Sequence, residues 1–166
     1  MYERLMDAAS VKSATASRLP QRARWLIGDT TLDFSLYSEP RNLTAEFAEW
    51  GLSDADVADI EHVSDFIVFG MWNFNEGGGD RPVLAFRQSD GKVFDVDVEA
   101  YEPLSLLNSS LEAFIDTFCL LDKYLGHGQP IPADLNSLVR NLDPTVYSES
   151  EWRDLVDDVA NRSRGT

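Results

Sequence analysis

Asp95, Asp97 and Glu99 occupy alternate positions in Val93-Phe94-Asp95-Val96-Asp97-Val98-Glu99. Successive side chains of an extended strand point to opposite faces. The three carboxylates therefore share one face, and Phe94, Val96 and Val98 share the other. A row of carboxylates can hold a divalent cation, work as a general acid and base, or meet a basic partner. Acid catalysis requires desolvation to raise a carboxyl pKa, and one strand alone does not supply convergent ligands. The D-x-D-x-D-G spacing of calcium loops is absent. The row reads as a solvated face whose functional use is to contact a partner. Gathering like charges on one side of a strand destabilises it, which a binding role would explain.

The other chemistry-bearing residues are isolated. His62 and His127 lie far apart and match no metal or triad spacing. Gly77-Gly78-Gly79 is flanked by Glu76 and Asp80, whose charge repels phosphate, so it reads as a turn between strands. Cys119 is the one cysteine, which excludes an internal disulfide; between Phe118 and Leu120 it reads as a buried, inert thiol. Of the four tryptophans, Trp25, Trp50 and Trp152 are expected in the core. Trp72, beside Asn73-Phe74-Asn75, is the candidate for exposure together with Phe74, as aromatic anchors of an interface. No catalytic residue, metal ligand or cofactor site is expected. The partner-binding set is Trp72, Phe74, Glu76, Asp80, Asp95, Asp97 and Glu99.

The 166-residue chain carries a net charge of −15. Residues 1–24 are net +3, so residues 25–166 are net −18. A body this acidic repels nucleic acid and anionic membranes and attracts basic proteins. Hydrophobic residues at 43% are enough for one folded core. No apolar run is long enough to span a bilayer, and the N-terminus lacks the apolar stretch of a signal peptide. A cytoplasmic monomer is expected.

Periodicity places these residues on elements. Residues 1–24 form an N-terminal segment, either a short helix or mobile, and residues 25–166 a single domain. Thr31–Tyr37, Phe66–Trp72, Pro82–Arg87 and Val93–Glu99 read as strands, with Leu104–Leu107 as one more. Ser89-Asp90-Gly91-Lys92 is a hairpin turn. Asn42–Trp50 reads as a helix closed by Gly51. Ser109-Ser110-Leu111-Glu112 reads as a capping box, with the Ser109 hydroxyl accepting from the first turn and Glu112 reaching back to the Ser109 amide. It opens a helix with Leu111, Phe114, Ile115, Phe118, Leu121 and Leu125 on one face. Two more helices follow near 133–142 and 149–160, the second presenting Trp152, Leu155, Val156 and Val159. The fold class is α+β, a mostly antiparallel sheet flanked by helices.

An ordered series of segments resembles the SUKH (SMI1/KNR4-like) proteins, and the SUKH-4 branch in particular. It comprises Glu46-Phe47-Ala48-Glu49-Trp50-Gly51-Leu52, the apolar strand 67–71, the strand pair 82–87 and 91–97, Leu107-Asn108-Ser109-Ser110-Leu111-Glu112-Ala113-Phe114, and Leu142-Asp143-Pro144 with Trp152 downstream. The match spans residues 32 to 160; the first 24 residues show none. The resemblance implies an α+β fold without catalysis. It also implies an immunity protein that binds and neutralises a cognate bacterial polymorphic toxin, often a nuclease or deaminase. Such toxins are commonly basic, which suits the net charge of the body. Two other classes compete. One is an adaptor or scaffold of the same fold, separable by the neighbouring gene. The other is a carboxylate-dependent hydrolase built on the Asp95 row, which would need a metal and a pocket.

Overall fold

The alternating segments in the middle of the chain join into one sheet in the computed structural model, which describes residues 6–53, 55–74, 82–98, 100 and 102–164. The strands are β1 (Arg22–Ile27), β2 (Thr30–Asn42), β3 (Phe66–Phe74), β4 (Val83–Arg87), β5 (Val93–Val96) and β6 (Leu104–Asn108). They lie side by side in sequence order, each pair antiparallel. Short turns suffice for such a meander. Gly28 makes the β1–β2 turn at φ +64°, a conformation free of steric cost only for glycine. Between β4 and β5 the Arg87 amide donates to the Lys92 carbonyl at 2.8 Å across the Asp90-Gly91 turn. Register shifts at Leu36/Arg41 and Val68/Gly70 interrupt the ladders. Bulges of this kind bend and twist strands, so the sheet curls.

Helices α1 (Ala8–Ala16), α3 (Leu111–Leu121), α4 (Leu135–Leu142) and α5 (Glu151–Arg164) cover one face. They bury Phe114, Phe118, Val139, Trp152 and Val156 against Trp25, Leu32, Phe34, Phe69 and Phe86. The last turn of α3 widens at Asp122–Gly126, where Asp122 accepts from the Trp25 indole at 2.9 Å. Helix α2 (Leu43–Glu49) and the segment after it cover the opposite face. There Leu43, Phe47 and Ile60 pack on Phe66, Val68, Val83, Phe94 and Val96. Both faces of the sheet are thus covered, and the chain is one α+β domain.

The start of the chain and the entry to α3 show how the helices are anchored. Residues 8–16 form helix α1, which packs on the sheet. Asp7 caps α1 by accepting from the Ser10 amide at 2.8 Å, and Val11, Thr15 and Leu19 enter the core. At α3 the cap is Ser110, whose hydroxyl accepts from Ala113 N at 3.1 Å. The Ser109 amide is taken by Asp143 at 2.7 Å rather than by Glu112. A buried carboxylate offers that amide a stronger acceptor than an exposed first-turn side chain. Cys119 is only half-buried, its thiol 3.8 Å from the Arg18 carbonyl.

Candidate functional site: an acidic cleft beside the C-terminal helix

The register of β4 and β5 fixes the starting point. Asp95 pairs with Leu84, and both point to the helix-covered face, while Phe94 pairs with Ala85 and points to the other. Asp95 is therefore not on a solvated strand face; only 8% of its surface is exposed. Trp72 is likewise buried rather than exposed, and its indole N–H donates to Asp95 Oδ2 at 3.1 Å. The alternation of β5 is as the sequence indicates. The correction arises because layers cover both sides of the sheet, so even the carboxylate side of β5 lies under a helix.

Helix α5 completes the site. Ser150 precedes its first turn, donating to the Leu107 carbonyl at 2.6 Å and accepting from Trp152 N at 3.1 Å. These bonds seat the start of α5 against β6. Trp152 then enters the core edge-on to Trp72, ring centroids 5.3 Å apart at 87°. Glu151, Asp154 and Asp158 follow at i, i+3 and i+7 and share one side of the helix. The result is a cleft of about 200 Å³. It is lined by the apolar Ile27, Leu32 and Leu155, by the two indoles, and by Asp95 and Glu151, with the exposed Asp154 and Asp158 at its mouth.

Burial raises the Asp95 carboxyl well above the usual carboxylate range, and the neighbouring Glu151 raises it further. Burial also raises Glu151, reinforced by Asp154 and Asp97. The two carboxyls are within hydrogen-bonding reach of each other. Two carboxyls so placed cannot both ionise cheaply, so they hold a proton between them. Glu151 Oε2 is buried with no hydrogen-bond donor facing it among the described residues. Among the described residues no lysine or arginine lines the cleft. Arg162 is engaged with Asp158 at 3.1 Å and Asp29 at 2.9 Å.

Of the sequence-assigned partner residues, Trp72 and Asp95 come together in this cleft, and Asp97 lies close enough to raise both buried carboxyls. Glu76, Asp80 and Glu99 fall outside the described residues, as does the side chain of Phe74. The exposed tryptophan is Trp50, at 38%, against Phe47. Sequence reasoning missed Glu151, Asp154 and Asp158. Their i, i+3, i+7 spacing was the available signal, adjacent to the apolar stripe of the same helix. Among the described residues no cluster of His, Cys, Asp and Glu has the makings of a metal site.

The segments that carry the family resemblance meet behind the cleft. Trp152 Nε1 donates to Asn108 Oδ1 at 2.7 Å, and Asn108 Nδ2 donates to Asp143 Oδ2 at 3.1 Å. Asp143 also accepts from the Ser109 amide and hydroxyl, each at 2.7 Å. The N-S-S, D-P and W elements are thus one buried network that pins α3 and α5 to β6, a structural role. Fold and site together define an α+β scaffold: a curled sheet between helical layers with an acid-lined cleft. The chain belongs to the SUKH-4 immunity protein family, whose model matches residues 14–158. No curated protein and no solved structure matches it. Among the described residues no helix is long and apolar enough to cross a membrane.

Proposed function

We propose that this protein neutralises a cognate, basic, nucleic-acid-directed polymorphic toxin by binding it through the acidic surface around the α5 cleft. Membership of an immunity family supports the role. The observation that carries the choice of surface is the acidic mouth of a preformed cleft: Asp154 and Asp158 on α5, with side chains 74% and 51% exposed, beside the fully projecting Asp29 of the β1–β2 turn. Exposed carboxylates in this arrangement speed encounter with a basic surface and make it salt-dependent. Asp97, Glu99, Glu76 and Asp80 are further partner-binding residues in this reading, with Phe74 as an apolar contact. A cytoplasmic monomer that acts by occlusion, without catalysis, suits a toxin that acts on nucleic acid inside the cell.

The test is co-expression with the toxin domain encoded beside the gene. Cells carrying both should survive where cells carrying the toxin alone die, and the purified pair should associate more slowly as salt rises. Equal killing with and without this protein would reject the proposal.

A further inference from the structure

Three acidic residues are buried among the described residues: Glu46, Asp95 and Asp143. An ionised carboxylate is expensive to bury unless it is paired or fully hydrogen-bonded. Glu46 meets that requirement with a cation. Its oxygens accept from Tyr37 OH at 2.6 Å and from the Arg41 guanidinium at 2.5 Å. Asp143 meets it with three donors from Asn108 and Ser109. Asp95 has the Trp72 indole on one side and a second carboxyl, Glu151, on the other. The buried Glu151 Oε2 faces no donor among the described residues. Beside this pair lies an open space of about 200 Å³, several times the ~30 Å³ of one water. Trp72 and Trp152 line the same space, and an aromatic lining tolerates a cation better than an aliphatic one.

We propose that the cleft receives one basic side chain of the protein partner, its cationic head against the paired carboxyls of Asp95 and Glu151 and its alkyl stem against Leu155 and the indoles. The inference deepens the proposed function and rests on its basic protein partner. The incoming cation takes the place that Arg41 fills for Glu46. It favours the ionised carboxyls, so the proton held between them passes to the buffer as the cation binds. Asp154 and Asp158 at the mouth draw the cation in. A neutral side chain of the same shape would leave the carboxyl pair unmatched, and the site would reject it.

The pocket can be tested without the toxin. The probes are n-propylguanidinium and n-butylammonium, with neutral n-propylurea as control, each titrated to about 100 mM at constant ionic strength, a range suited to ligands this small. The indole N–H resonances of Trp72 and Trp152 report on the cleft. One or both cations should shift them saturably, and the tighter of the two identifies an arginine-like or lysine-like anchor. Propylurea should leave them in place. Glu151→Gln and Asp95→Asn, with folding checked by the remaining amide resonances, should each weaken the response at least tenfold. No response to either cation, an equal response to propylurea, or undiminished binding in both variants would overturn the proposal. Such a failure leaves the immunity role standing. Cation binding in a protein that gives no protection against the neighbouring toxin would break the immunity role alone.

Discussion

Two aspartates lie near Trp152, buried to a similar degree at 7% and 8% exposure, and their surroundings are opposite in kind. Asp143 is held by a backbone amide, a hydroxyl and a carboxamide, all within 3.1 Å. Asp95 is held by one indole N–H and lies within hydrogen-bonding reach of another carboxyl at the edge of an open cleft. The first environment fixes elements: remove the acceptor, and three donors from β6 and the α3 entry lose their partner. The second fixes nothing that a neutral side chain could not. Burial alone therefore does not separate a structural acid from a functional one. The inventory of donors does: it assigns the Asp143 network to the fold and makes the Asp95 pair the candidate for binding.

The largest effect should come from the packing that both regions share. Phe114 is fully buried, edge-on to Phe69 at 5.3 Å and beside Trp152 at 5.8 Å. Phe114→Ala should cost about 3–5 kcal/mol in chemical denaturation; a loss below about 1 kcal/mol would mean that Trp152 does not depend on this wall. The Asp143 side of the comparison comes next. Asp143→Ala strands buried donors on Asn108 and Ser109 and should cost about 2–4 kcal/mol. An unchanged denaturation midpoint would show that the network is not holding α3 and α5 to β6.

The Asp95 side should respond with the opposite sign. Its folded-state pKa is raised above the ordinary value of 3.8. The unfolded chain therefore releases this proton first as pH climbs past 4, and the folded state loses stability until the buried pair ionises as well. Asp95→Asn keeps an acceptor for the Trp72 indole and removes that loss. The variant should match or fall below the wild type near pH 4 and exceed it by about 1–2 kcal/mol at pH 8. A variant destabilised equally at both pH values would place Asp95 with Asp143 as a structural acid.

Much of this arrangement is legible in the sequence. The alternation of 93–96 puts Asp95 opposite Phe94 and Val96, as observed, and the Asp90-Gly91 turn and the apolar face of α3 are where their patterns indicate. Period-two alternation, however, says which residues share a face, not whether that face meets water. A helix from the far end of the chain covers the Asp95 side, and no local signal announces it. The same distance effect moves the α3 cap by one residue, since Asp143 reaches Ser109 from 34 positions away. Trp72 and Trp50 exchange roles for a related reason. Trp72 ends an apolar run beside a polar loop, yet bulged β3 turns it inward against Trp152.

The central claim is that the α5 cleft, and not acidity in general, engages the toxin. A second acidic surface serves as its control. Asp59 and Glu61, in the segment after α2, border a shallow depression with Asp65 and Asp90. The decisive measurement is the association rate with the purified toxin domain, at low and high salt, of Asp154→Lys/Asp158→Lys against Asp59→Lys/Glu61→Lys. Both pairs carry the same change in net charge. The α5 pair should associate at least about tenfold more slowly at low salt and protect cells poorly, with the difference narrowing at high salt, while the control pair should stay close to the wild type. Equal rates for the two variants, or a slower rate in the control pair, would contradict the claim and place the interface elsewhere.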